Sequence, residues 1–273
     1  MLKQFIAEGL LGKSELTVKT YNHALEQFAI WLDGSGANLE NFSRSDVQQY
    51  VTYMVSKKKT AATINKVFNA IKKYCKWAKK SDCIEDIYII KPTEYKQTAP
   101  KALDRIERNQ LVRNIDRSGN KRNYAITLTL LYTGLRVSEL VALDRSDVEI
   151  SDRKGILKVR TGKGNKERVL PLEVEVRRAI EKYLEERSDN QEALFISNRG
   201  KRISIRSIQH LLEQHDIHAH QLRHTFITGL VRANQDISVI QSLSGHSSAD
   251  MILRYSKPTE DDKIRAVEGL YKD

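Results

Sequence analysis

An aperiodic stretch from Pro92 to Lys101 divides this chain into two parts of unlike pattern, and that division limits the fold more than any other feature. The stretch holds two of the chain's four prolines, Pro92 and Pro100. Proline fixes φ and cannot donate a backbone hydrogen bond, so neither a helix nor a central strand runs through it. With 273 residues, each part can bury its own core. The expected layout is a domain at 1–91, a linker at 92–103, a second domain at 104–255 and a tail at 256–273.

The first part reads as all helix. Val18, Tyr21, Leu25, Phe28 and Leu32 recur at helical spacing, and Ala24 widens the stripe. Gly34-Ser35-Gly36 breaks it. Ser43 is placed to cap a second helix holding Val47, Tyr50, Val51 and Met54. In a third helix, Ile64, Val67, Phe68, Ile71, Cys75 and Ala78 share one face. Lys66, Lys73, Lys76 and Lys80 fall mostly on the other side. A basic face is commonly just solvated, but in a chain this basic it suits phosphate contact.

The second part mixes patterns. Asp104-Arg105-Ile106-Glu107 reads as a capping box. The apolar run Tyr124 to Tyr132 suits a buried helix, interrupted at Thr133-Gly134 and resumed from Arg136 to Leu143. Ile156 to Arg160 and Arg168 to Leu172 flank Gly162-Lys163-Gly164-Asn165 as strand, glycine turn, strand. Helical patterns return at Val176 to Leu184, Ile205 to Leu212, His220 to Ala233 and Ile237 to Leu243. The result is a mainly α domain with a small antiparallel sheet.

Composition narrows the function. Lys and Arg total 46 against 35 Asp and Glu, a net charge of +11, which favours a polyanionic partner. The two cysteines, Cys75 and Cys83, form no Cys-x-x-Cys pair; Cys75 lies on an apolar stripe and reads as a core residue. No apolar run reaches membrane-span length, and the first residues lack a signal-peptide apolar region. A reduced, soluble, cytoplasmic protein is expected.

The residues with chemical meaning lie in the second part. Arg136 sits where a helix restarts, and Glu139, three residues on, can hold its guanidinium. A surface ion pair is the commoner reading of such a couple. Lys163 at the hairpin tip can deliver a proton, although a lysine in a turn is most often only solvated. Lys166 and Arg168 on the returning strand are candidate phosphate contacts. His220 and Arg223 share a helix face, while Leu222 and Phe226 anchor another. His224 competes with His220 for a role and is read as a structural hydrogen-bonding residue. His210, His215, His218, His220 and His224 crowd together, but a zinc site would want a carboxylate or cysteine in the motif, so no metal is expected. Gly245 is placed as a left-handed helix cap before His246. Tyr255 follows nine residues later; one of eleven tyrosines, it gains meaning only from its order after Arg223 and His246.

These motifs, in this order, resemble the tyrosine recombinase (phage-integrase) family. The resemblance rests on Thr133-Gly134-Leu135-Arg136-Val137-Ser138-Glu139-Leu140, Gly162-Lys163-Gly164-Asn165-Lys166-Glu167-Arg168, His220-Gln221-Leu222-Arg223-His224-Thr225-Phe226, Gly245-His246 and Tyr255. It extends from about Ser14 to Tyr255, carried in the N-terminal part by helical character alone. It implies an all-α, SAM-like core-binding domain and an integrase-type DNA breaking-rejoining domain that together clamp duplex DNA. Arg136, Arg223 and His246 would bind the scissile phosphate, Lys163 would protonate the departing 5′-oxygen, and His220 would assist proton transfer. Glu139 would support them from behind. Tyr255 would form a 3′-phosphotyrosyl bond, with strand exchange through a Holliday junction and no cofactor. The implied partners are a specific DNA site, three further copies in a tetrameric synapse built from monomers, and accessory proteins. A membrane is not among them.

The sequence departs from the family pattern in two places. Ser244 stands before Gly245 where leucine is common, and Asp250-Met251-Ile252 replaces a threonine-rich stretch. The chain looks closest to recombinases of mobile elements or of Xer-type resolution. Alternatives are a type IB topoisomerase-like nicking-resealing enzyme, a non-catalytic DNA-binding accessory protein, and a metal-dependent nuclease built on the histidines.

Overall fold

The structure is a computed structural model. It describes residues 1–89, 101–160, 167–246, 248–256, 264, 267 and 268. The expected glycine turn with Lys163 and Lys166, residues 92–100 of the expected linker and nearly all of the expected tail lie outside these residues. The chain forms two compact units, Met1–Tyr95 and Lys96–Asp273.

The first unit has four helices, α1 (Leu2–Gly9), α2 (Glu15–Gly34), α3 (Arg44–Ser56) and α4 (Ala61–Trp77). Each of the last three starts at a hydroxyl cap that satisfies an otherwise orphaned amide: Ser14, Ser43 and Thr60. At Ser43 the box is complete, because Asp46 accepts from the Ser43 amide at 2.7 Å. Leu25, Phe28 and Leu32 of α2 meet Val47 and Val51 of α3 and Ile64, Ile71 and Tyr74 of α4 in one core. Each such side chain contributes about 1.5–3 kcal/mol when fully buried. Phe5 ties α1 to α4, its ring edge-on to Tyr74 at 5.3 Å. Cys75 is buried, and burial pushes its thiol up to about 12, which makes it a packing residue.

Lys66, Lys73 and Lys76 are exposed on α4 as the pattern predicts. Lys80 differs in position from the other three. It lies beyond the helix end, and its ammonium sits 4.8 Å from the Phe42 ring centroid. The helix is capped at Ala78, so Lys80 is not on the α4 face and lies over an aromatic ring.

In the second unit, α5 (Arg105–Arg117) opens on the Asp104–Glu107 capping box. The next helix, α6 (Lys121–Thr133), is buried on nearly every side from Ala125 to Leu131 and forms the axis of the core. Gly134 ends it at φ +61°, a left-handed turn that leads through Arg136 into α7 (Val137–Ala142). Three antiparallel strands follow, β1 (Val148–Ile150), β2 (Gly155–Val159) and β3 (Arg168–Pro171), in the order β1-β2-β3. Leu157 and Val159 point into the core, while Lys158 faces out to Glu149. The sequence pattern missed β1, because three residues are too few to show alternation.

Helices α8 (Val174–Glu185), α9 (Ile205–Glu213), α10 (Ala219–Arg232), α11 (Ile237–Ser244) and the short α12 (Asp250–Leu253) complete the unit. A small separate cluster of Ile227, Ile240 and Ile252 joins α10, α11 and α12. Four residues of helix cannot hold themselves in place, so the buried Ile252 side chain anchors the segment that carries Tyr255. Among the described residues, no helix is long and apolar enough to cross a membrane.

Candidate active site

The second unit brings Arg136, Arg223, His246 and Tyr255 into one pocket, with His220 and His224 along its side. Arg136 is the residue before α7, delivered there by the left-handed turn at Gly134. Its backbone amide donates to Glu139 Oε2 at 2.8 Å and its Nη1 to Glu139 Oε1 at 2.8 Å. Its Nη2 reaches the Gly245 carbonyl at 3.3 Å. The guanidinium stays partly exposed, so it can turn donors to a ligand.

Glu139 serves two arginines. Arg168 on β3 donates to both its oxygens, at 3.1 and 2.7 Å. Burial alone would raise the Glu139 carboxyl, but the bonds from Arg168 and Arg136 outweigh it and hold the pKa down. Arg168 also donates Nε to the Leu243 carbonyl at 3.1 Å, and its side chain is only 9% exposed. The sequence pattern puts Arg168 among the DNA contacts; its donors here go to Glu139 and the Leu243 carbonyl. A guanidinium so far removed from water requires a paired carboxylate, and Glu139 supplies it. Arg168 therefore acts as a strut that fixes Glu139, and through it Arg136.

Arg223 is the most enclosed cation among the described residues, at 2% exposure. Nη1 donates to the Gly134 carbonyl and Nη2 to the Ser244 carbonyl at 2.7 Å. Nη2 also lies 3.3 Å from His246 Nε2. Burial, reinforced by Arg136, lowers its pKa to about 10, so it remains charged at neutral pH. Two helix ends, at Gly134 and Ser244, thus hold one arginine by their free carbonyls. Gly245 caps α11 at φ +66°, as its position predicts, and leads to His246. The His246 imidazole is pushed down to about 4 by burial and by Arg223 and Arg136, so it is neutral near pH 7.

The Tyr255 hydroxyl lies 2.6 Å from His224 Nδ1. Its ring centroid is 5.5 Å from that of His224 and 6.4 Å from that of His246. Burial raises the phenol's pKa, against the pull of Arg223 and Arg254. It therefore keeps its proton at neutral pH and requires an acceptor to become a nucleophile. Burial and the neighbouring His220 lower His224 to about 4, which leaves its ring neutral and able to accept. The sequence reading gave His224 a structural bond and His220 the proton-transfer role. In the structure, the phenol's partner is His224. His220 stands edge-on to His224 with ring centroids 4.6 Å apart, on the exposed side of α10, its pKa lowered by partial desolvation and by Arg223 and Arg136. The adjacency of His224 to Arg223 was the available signal, but i and i+1 face different ways on a helix, and only the fold shows what lies on each side. Lys163 and Lys166 lie outside the described residues. Among those residues, no group of three or more metal-binding side chains converges.

Known proteins resemble this chain over nearly its whole length. The profile of the phage integrase family matches residues 101–261, and that of the phage integrase N-terminal SAM-like domain matches residues 3–82. A tyrosine recombinase, XerA, of Thermococcus kodakarensis is 32% identical over 95% of this chain and 90% of its own length. The TnP I resolvase of Bacillus thuringiensis is 28% identical over 91% of this chain and 92% of its own. Two solved structures share the fold. One is XerH recombinase on a palindromic difH substrate after cleavage, with TM-score 0.78 at 18% identity, covering 94% of this chain and 80% of that one. The other is the Tn1549 transposon integrase with transposon right-end DNA, with TM-score 0.72 at 21% identity, covering 99% of each. With both domain profiles matched and a near full-length relative at this identity, the chain belongs to the phage integrase family of tyrosine recombinases.

Proposed function

We propose that this family member is a site-specific DNA recombinase in which Tyr255 is the nucleophile and His224 receives its proton. The carrying observation is the 2.6 Å contact between the Tyr255 hydroxyl and His224 Nδ1, made beside the arginine pocket of the same unit. The Tyr255 oxygen bonds to phosphorus as its proton passes to His224. The bond from phosphorus to the 5′-oxygen breaks, and that oxygen leaves as a hydroxyl with a proton from Lys163. Arg136 and Arg223 offset the charge that grows on the pentavalent phosphorus, and His246 adds a hydrogen bond there. The bond energy is kept in the phosphotyrosine, so the 5′-hydroxyl of a partner strand can reverse the step and complete exchange. Double-stranded DNA is the substrate, and four protomers would share two duplexes in the synapse.

The test is a nicked duplex carrying a recombination site selected from a random-sequence library. The protein should become covalently attached, with the attached peptide containing Tyr255. Tyr255→Phe should bind the same duplex and leave it uncut. Cutting by that variant would remove Tyr255 from the mechanism. Exchange between two such sites, rather than relaxation of supercoils alone, separates a recombinase from a topoisomerase-like enzyme.

A further inference from the structure

Ser244 stands where the sequence pattern departs from the family, and the structure gives it a neighbour that leucine could not serve. The residue is completely buried at the end of α11. Its Oγ lies 2.9 Å from Nδ1 of His246, the only hydrogen bond of this hydroxyl among the described residues. Its carbonyl separately accepts from Arg223 at 2.7 Å. The other ring nitrogen, Nε2, faces Arg223 Nη2 at 3.3 Å.

The proton positions follow from donor chemistry. A guanidinium only donates, so Nε2 accepts and carries no hydrogen in this arrangement. The ring is neutral, so its single proton is on Nδ1, and Ser244 Oγ accepts it. A phosphate oxygen only accepts. For His246 to donate from Nε2 to a phosphate without gaining a charge, the proton must leave Nδ1 for Nε2, and Nδ1 must then accept. A hydroxyl can accept from Nδ1 in one case and donate to it in the other, simply by rotating its hydrogen.

We propose that Ser244 is a positioning residue that lets His246 change tautomer while staying neutral, so that Nε2 accepts toward Arg223 in one state and donates to the bound phosphate in the other. This rests on the reading of His246 as a phosphate contact. The ring orientation and the reversible Ser244 bond are what the structure itself supplies. Without the hydroxyl, Nδ1 would be a buried polar atom lacking a partner in either tautomer, and the ring would lose what fixes it.

Two measurements test this. In protein labelled with ¹⁵N-histidine at pH 7, the His246 ring nitrogens report directly which one is protonated, with assignment from their loss in His246→Gln. Sulfate serves as a probe because all of its oxygens are acceptors. In the native protein, Nδ1 should be the protonated nitrogen, and sulfate should exchange the two signatures. Ser244→Ala, which keeps the Ser244 carbonyl and removes only the hydroxyl, should abolish the exchange, and Ser244→Thr should retain it. In parallel, single-turnover cleavage of the selected nicked duplex should fall roughly 10- to 100-fold in Ser244→Ala, the effect of one lost buried hydrogen bond, and recover in Ser244→Thr. Sulfate that protonates both nitrogens, that moves neither, or that moves them equally in Ser244→Ala overturns the proposal. Cutting by Tyr255→Phe would instead overturn the assigned nucleophile and leave the nitrogen signatures as they are.

Discussion

A single proton separates Tyr255 as a phenol from Tyr255 as a nucleophile, and His224 is the group placed to take it. His224→Gln keeps a polar side chain of similar reach but cannot accept the proton. Its cleavage rate should fall roughly 10²- to 10⁴-fold, while binding of the same duplex, read by gel shift, changes little. If His220→Gln shows the larger loss instead, the proton passes through His220. The sequence placed both histidines within three residues of Arg223 and favoured His220; spacing alone does not show which ring meets the phenol. Nor could it show that Arg168 turns inward. Strand alternation gave two faces to β3, and the destination of this guanidinium depended on Glu139, 29 residues away in the chain.

At the level of elements, the pocket is made by helix ends. Gly134 and Gly245 each take a positive φ at a helix terminus, and the carbonyls released there bind Arg223 and Arg136. Gly134 has no room for a side chain, because a Cβ would stand 2.3 Å from the Phe226 ring. Gly134→Ala should therefore cost about 2–4 kcal/mol from left-handed strain and overpacking together. Urea denaturation checks the loss, and cleavage should fall beyond it because the Arg223 acceptor moves. These ends were legible in the sequence. So were the caps at Ser43 and Asp104, since a cap and its amide lie within three residues of each other. The strand β1 was not, and neither was α12, whose four residues form a helix only because Ile252 packs against Ile227 and Ile240.

For the whole molecule, charge and burial set the response to solution conditions. His224 and His246 both titrate near 4 in the folded protein, against an ordinary value of 6.5. Between these values the unfolded chain binds more protons than the folded one, so stability should fall as pH drops through that window. Urea melts at pH 7 and 5.5 should show the decrease, and the double variant His224→Gln, His246→Gln should reduce it, with His220 supplying part of what remains. The net charge of +11 predicts strongly salt-dependent DNA binding. Replacing Lys66, Lys73 and Lys76 together with alanine should reduce the slope of log K against log salt by about 2–3, at roughly 0.9 per phosphate contact, with cleavage at saturating DNA unchanged. An unaltered slope would place the α4 face away from DNA. By itself, the sequence determined most of the longer helices, the caps at Ser43, Asp104 and Gly245 and the two-part division, and it named the candidate reactive residues, because periodicity and capping act over a few positions and the motifs are contiguous. Only the tertiary structure decided the pairings, His224 with Tyr255 across 31 residues and Arg136 with Gly245 across 109. Partners so far apart in the chain meet only when separate helices pack, and packing is settled by the core as a whole.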